Sequence, residues 1–122
     1  MKSPSVKPRS WPDKFRDAFR GVGIGARSQS SFQVHLACAV AVSALAAWAR
    51  VAAWQWCVLL LCVVMVLVAE MFNTSLEVMA KAIDVEYHPQ LRDALDLASG
   101  AVLLTAVGAV VVGSIVMASA LL

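Results

Sequence analysis

Polar and apolar residues are sorted along this chain into long blocks. Formal charge is absent from 28–49, from 51–69 and from 97–122, and each run is close to or above the ~20 residues a helix needs to cross hydrocarbon. Between the first two runs, Trp48, Arg50, Trp54 and Trp56 form an aromatic belt that suits a tight turn at a membrane–water interface. Upstream, Trp11, Phe15, Phe19 and Val22 recur at helical spacing opposite Lys14, Asp17 and Arg20, the pattern of a helix lying on a membrane surface. Ser10, Pro12 and Asp13 give that helix its start: a hydroxyl to cap free amides, a proline for the first turn, and a carboxylate near the positive helix end.

The second apolar run is not closed at residue 69. From 70 to 83 there is no Gly or Pro, and Phe72, Leu76, Met79 and Ile83 stay apolar, so the helix is expected to continue beyond the bilayer. Pro89 is expected to break the chain, and a last helix then starts near Arg92, with Ala94, Ala98 and Gly100 offering small surfaces for close packing. The pattern predicts an all-α integral membrane protein: an N-terminal amphipathic surface helix over 11–27, then three transmembrane helices at about 29–49, 53–84 and 92–121. Residues 1–10, basic and without apolar periodicity, read as a disordered tail, and 11–122 as a single membrane domain.

Composition agrees. Hydrophobic residues make up 61% of the 122 and charged residues 15%, against roughly 45–50% and ~25% in soluble domains, which argues against a soluble protein. The net charge of +2 is uninformative, but seven of the ten basic residues precede the first apolar run. That asymmetry puts the N-terminus and the 84–93 loop in the cytoplasm, and the Trp-rich turn and the C-terminus outside. All acidic residues then fall on the cytoplasmic side. The basic segment continues into the surface helix, so a cleaved signal peptide is not expected and the N-terminus should be retained. The basic tail suits anionic lipid; no array of aromatic and basic residues marks a nucleic-acid partner. Cys38, Cys57 and Cys62 lie in apolar runs without metal or redox spacing and read as small hydrophobes. His35 reads as an interfacial side chain hydrogen-bonded near the start of the first membrane helix, with help in positioning substrate as the alternative, His88 as a loop residue, and Met65, Met71 and Met79 as packing.

One cluster carries chemistry. Glu70, Asn73 and Glu77 are spaced i, i+3, i+7, which puts them on one helix stripe where hydrocarbon meets the cytoplasm. A carboxylate costs about 2.5–3.5 kcal/mol at the bilayer centre and less toward the edge, so two on one stripe call for compensation. Mg²⁺ prefers oxygen ligands, often one or two carboxylates plus substrate phosphates, and phosphoryl transfer to a hydroxyl needs a positioned base. The alternative is a stripe that faces water or pairs with Lys81 or Arg92.

Glu70-Met-Phe-Asn73-Thr-Ser-Leu-Glu77 resembles the E-x-x-N-[ST]-x-[IL]-E motif of the small prokaryotic diacylglycerol kinases, a family that includes undecaprenol kinases. Phe32-Gln-Val-His35 is similar to the family's pattern before its first membrane helix, and Asp96-Leu-Ala-Ser-Gly100 to the opening of its third, so the resemblance spans roughly 14–115. It implies a homotrimer in a bacterial plasma membrane, with active sites shared between subunits, moving the γ-phosphate of Mg-ATP onto a membrane lipid alcohol, diacylglycerol or undecaprenol. It also implies roles: Glu70 as catalytic base and substrate contact, Ser99 as a further substrate contact, Asn73 and Asp96 in the nucleotide site, and Glu77 with Gln29 on nucleotide and metal. Soluble-kinase glycine loops are absent, as in that family. Three positions depart from its pattern: Gln29 replaces a metal-binding Glu, Lys81 an Asp, and Leu95 a phosphate-contacting Lys. Lys81 or Arg92 could supply the missing cation from another direction. A relative that binds nucleotide or lipid without turnover, and a membrane scaffold or cation-conducting oligomer, are the other readings of the sequence.

Overall fold

A computed structural model describes residues 8–28, 30–83 and 88–122. Most of the basic tail, Gln29 and residues 84–87 lie outside the described residues. The described chain forms four helices and no strand: α1 (Trp11–Ser28), α2 (Ser30–Ala49), α3 (Ala53–Ile83) and α4 (Pro89–Leu121). The last three are long and apolar enough to cross a membrane, and the molecule is a membrane protein.

α1 starts as its sequence requires. Ser10 Oγ accepts from the Asp13 amide at 3.4 Å and Pro12 occupies the first turn. Trp11, Phe15 and Phe19 are turned away from the bundle, 59–75% exposed, where lipid can take them. The other end is seated: a Cβ on Gly25 would stand 3.5 Å from the Phe32 ring and 3.9 Å from Met71, so only a very small residue lets α1 lie this close to α2 and α3. Gln33 Nε2 donates to the Ala26 and Arg27 carbonyls at 3.1 and 3.2 Å, satisfying two of the free acceptors at the end of α1.

The α2–α3 turn is held by backbone. Val51 N donates to Ala46 O and Arg50 N to Ala47 O, both at 3.3 Å, the paired bonds of a Schellman ending, with Arg50 at φ 53° in the left-handed position that usually falls to Gly. Val51 and Ala46, brought together by that turn, join Leu59 and Val116 in the buried cluster of the fold. One turn into α3 sits Gln55, only 6% exposed. Its Oε1 accepts from Ala52 N at 2.8 Å and its Nε2 donates to Ser119 Oγ at 3.1 Å, while Ser119 Oγ donates to Val116 O at 2.7 Å. A side chain in a nominally apolar run thus caps the start of α3 and fastens it to the end of α4.

α4 begins at Pro89, earlier than the expected start near Arg92. Proline has no amide to lose in a first turn and its φ is already helical, so Pro89 opens the helix where it was expected to break the chain. α3 packs most extensively on α4, while α2 leans on α3 and barely meets α4. The accessible area of 9296 Å² compares with about 6,300 Å² for a compact soluble protein of this mass. Leu103, Leu104, Val110 and Ile115 are among the many large side chains left for lipid or further copies to cover.

Candidate active site

α3 is 31 residues long, about 46 Å, so it outruns a ~30 Å hydrocarbon layer. Counting from Trp54 at one interface, Glu70 stands about 24 Å along the axis, just inside the opposite edge. Burial varies along the stripe. Glu70 and Asn73 are 4% and 8% exposed, and Glu77, one turn further out, is half-buried.

Asn73 organises its neighbours. A carboxylate only accepts, so the amide nitrogen faces Glu77, donating to Oε1 at 3.0 Å, and the amide oxygen is left to accept from Ser99 Oγ at 3.5 Å. One side chain therefore orients Glu77 and ties α3 to α4. Ser99, expected to touch substrate, is committed to this link through its hydroxyl proton.

Glu70 meets α2. His35 Nε2 lies 3.5 Å from Glu70 Oε2, with side-chain exposures of 25% and 5%. Below this pair a cleft of about 530 Å³ runs between α2, α3 and α4, walled by apolar side chains such as Val42, Leu45, Val66, Val110 and Met117. His35 lies on its wall, so the cleft reaches the imidazole that meets Glu70. The contact with Glu70 was not readable in the sequence: the two residues are 35 positions apart, and the only signal was a lone His near the start of an apolar run.

The other expected site residues are less gathered. Asp96 is exposed, bound by Arg92 Nε at 3.3 Å one turn earlier on α4, and borders a shallow groove with Asp93, Leu97 and Gly100. Arg92 is thereby engaged with Asp96, Lys81 is exposed, and among the described residues neither pairs with the Glu70 stripe. Leu95 is half-buried. Gln29, expected on metal and nucleotide, falls outside the described residues. Among the described residues no three His, Cys, Asp or Glu side chains converge as a metal cage. What the stripe offers is oxygen: the Glu77 carboxylate, held at one atom by Asn73. Such a sparse donor set fits a cation that arrives already carried by phosphates.

This geometry sits within a chain whose relatives are recognisable. The sequence model of the prokaryotic diacylglycerol kinase family matches residues 16–117. A diacylglycerol kinase of Synechocystis sp. is 38% identical over 100 residues, 81% of this chain and 57% of its own. An undecaprenol kinase of Bacillus subtilis is 30% identical over 102 residues, 84% of this chain and 83% of its own. The chain thus spans little more than half of the first relative and most of the second. With a match over most of its length, the chain belongs to the prokaryotic diacylglycerol kinase family.

Proposed function

We propose that this protein is a lipid-alcohol kinase that moves the γ-phosphate of ATP onto the hydroxyl of a membrane lipid, diacylglycerol or undecaprenol. The observation that carries the reading is a buried carboxylate, Glu70, beside a cleft of hydrocarbon dimensions at the membrane edge. A lipid alcohol has two demands: its chain must stay in an apolar environment and its hydroxyl must meet a base. The cleft and Glu70 meet both within one helix turn.

In the reaction, Glu70 takes the proton of the acceptor hydroxyl. The hydroxyl oxygen bonds to the γ-phosphorus, the bond from that phosphorus to the β–γ bridging oxygen breaks, and ADP leaves with the electron pair. Glu77 would hold Mg²⁺, with Gln29 as its expected companion; the ion, when bound, neutralises charge on the transferring phosphoryl group. Asn73 keeps Glu77 turned toward that position, and Asp96 completes the nucleotide site on α4. A homotrimer accounts for the large apolar area the single chain leaves exposed. The basic residues ahead of α2 favour an N-terminus in the cytoplasm, where ATP is, and a C-terminus outside.

The test is transfer of radiolabelled γ-phosphate from Mg-ATP into extractable lipid by the purified protein, with diacylglycerol and undecaprenol supplied side by side. Label should enter at least one alcohol, and Glu70→Gln should lower the rate by about 10²-fold or more, the scale of a lost general base. Absence of transfer to either alcohol, with nucleotide still bound, would overturn the proposal.

A further inference from the structure

A carboxylate that is 5% exposed has little water to orient it, and its direction is set by whatever protein group stands beside it. For Glu70 that group is His35, the one recorded partner of its side chain among the described residues. The contact is one-sided. Nε2 stands 3.5 Å from Oε2, which leaves Oε1 as the oxygen unclaimed by the pair. Among the described residues, His35 is also the only ionisable side chain other than cysteine on the cleft wall. The imidazole Nε2 is within ion-pair distance of Oε2, and the ring has a flat apolar face to lay against a hydrocarbon chain.

A purely structural role accounts poorly for these facts. The packed cluster of Ala46, Val51, Leu59 and Val116 lies at the other end of the bundle. Ser31 and Gln33 are the polar residues near His35 in α2, and Gln33 turns to the end of α1, so at the cleft wall a leucine or phenylalanine would pack in place of His35 without bringing a polar group into the membrane. Among the described residues, the ion-pair partner of this polar side chain is the Glu70 carboxylate.

We propose that His35 is a positioning residue of the active site: it holds Glu70 Oε2 so that Oε1 faces the acceptor hydroxyl, at the depth to which the cleft delivers it. The proposal rests on the kinase reading of Glu70. Glu70 takes the proton, and His35 fixes which oxygen takes it and from where. Misplacing a reacting group by about 1 Å costs up to ~10²-fold in rate, which sets the scale of the effect.

The experiment compares wild type with His35→Leu, which keeps bulk, and His35→Gln, which keeps an N–H donor, in full-length protein in bilayers. His35→Leu should lower kcat for the lipid alcohol about 10- to 100-fold with the KM for ATP unchanged, and His35→Gln should recover most of the loss. A second readout does not need turnover. The chain has two histidines, so ¹⁵N-imidazole spectra resolve His35 from His88, and Glu70→Gln should move the His35 signals and leave those of His88 in place. Full activity in His35→Leu, equal impairment in the Leu and Gln variants, or His35 signals indifferent to Glu70→Gln would each overturn the positioning role. Wild-type protein inactive on both alcohols would overturn the kinase reading, and the catalytic use of the pair with it. An active wild type with an indifferent His35→Leu overturns the positioning alone.

Discussion

Replacing Gln55 with leucine keeps the side chain's size and removes both of its hydrogen bonds. The first loss is the 2.8 Å acceptor for Ala52 N, an amide at the start of α3 with no partner earlier in its own helix. A net contribution of about 1 kcal/mol is usual for such a bond. The second is the 3.1 Å bond to Ser119; bonds between membrane helices average about 0.6 kcal/mol. Ser119 keeps its own donation to Val116 O, so no donor is orphaned on α4. Leucine recovers little by being apolar, because lipid tails are as apolar as the site. Gln55→Leu should therefore cost about 1.5 kcal/mol, roughly a tenfold shift in the folding equilibrium. Titration from mild micelles into SDS, followed by the fluorescence of Trp54 and Trp56 on either side of Gln55, measures it. Ser119→Ala alone strands the buried Gln55 amide. Once Gln55 is leucine, the same change should be nearly silent. An unshifted transition in Gln55→Leu, or strict additivity in the double variant, refutes this account of the link.

Other expectations follow from the same geometry. Arg50 occupies a left-handed position, so Arg50→Gly should raise stability by up to about 1 kcal/mol in the same titration. Gln55 already supplies the returning half of a capping box to Ala52, and Ala52→Ser supplies the missing hydroxyl, a gain of about 1 kcal/mol that should persist in a Gln55→Leu background, because that hydroxyl accepts from the backbone amide of residue 55. Asn73→Ala releases Glu77 and Ser99 together and should raise the KM for Mg-ATP more than that for lipid in steady-state kinetics. If exposed cations serve the nucleotide, Lys81→Ala and Arg92→Ala should each weaken ATP binding by up to about fivefold, read by calorimetry, and unchanged affinity in both ends that role.

What the sequence disclosed follows from where polar residues are scarce. Three uncharged runs can only be membrane helices, and i, i+3, i+7 spacing can only be one stripe, so the spans and the Glu70-Asn73-Glu77 face were legible. Partnership between helices was not. The α2 segment is nearly as apolar all round, so nothing in it says which side turns to α3, and His35 could be placed at a depth but not against Glu70. Ser99 against Asn73 and Gln55 against Ser119 are hidden for the same reason: pairing depends on rotation and sliding of helices that hydrocarbon does not distinguish. Pro89 illustrates a local ambiguity, since a proline that ends one helix and one that opens the next look alike until the backbone is traced. Arg50 stands where a glycine would have announced the turn.

α3 and α4 are joined by polar contacts at two levels, Gln55 with Ser119 and Asn73 with Ser99, about 27 Å apart along α3. Two marks at that separation work as a vernier. Sliding one helix by a single residue turns its face by about 100° and breaks both contacts at once, and a slip of a whole turn restores the face but leaves both partners about 5.4 Å out of line. The pair has one registration, fixed at the two faces of the membrane rather than in its greasy middle. Among the described residues α2 makes no such polar contact with α4, and its polar contact with α3 is His35 with Glu70. On the proposed lipid-kinase function, the cleft wall that α2 forms is the one with no polar register against α4 to set its distance from lipid chains of different bulk, while the Asn73–Glu77 stripe stays on the doubly registered pair.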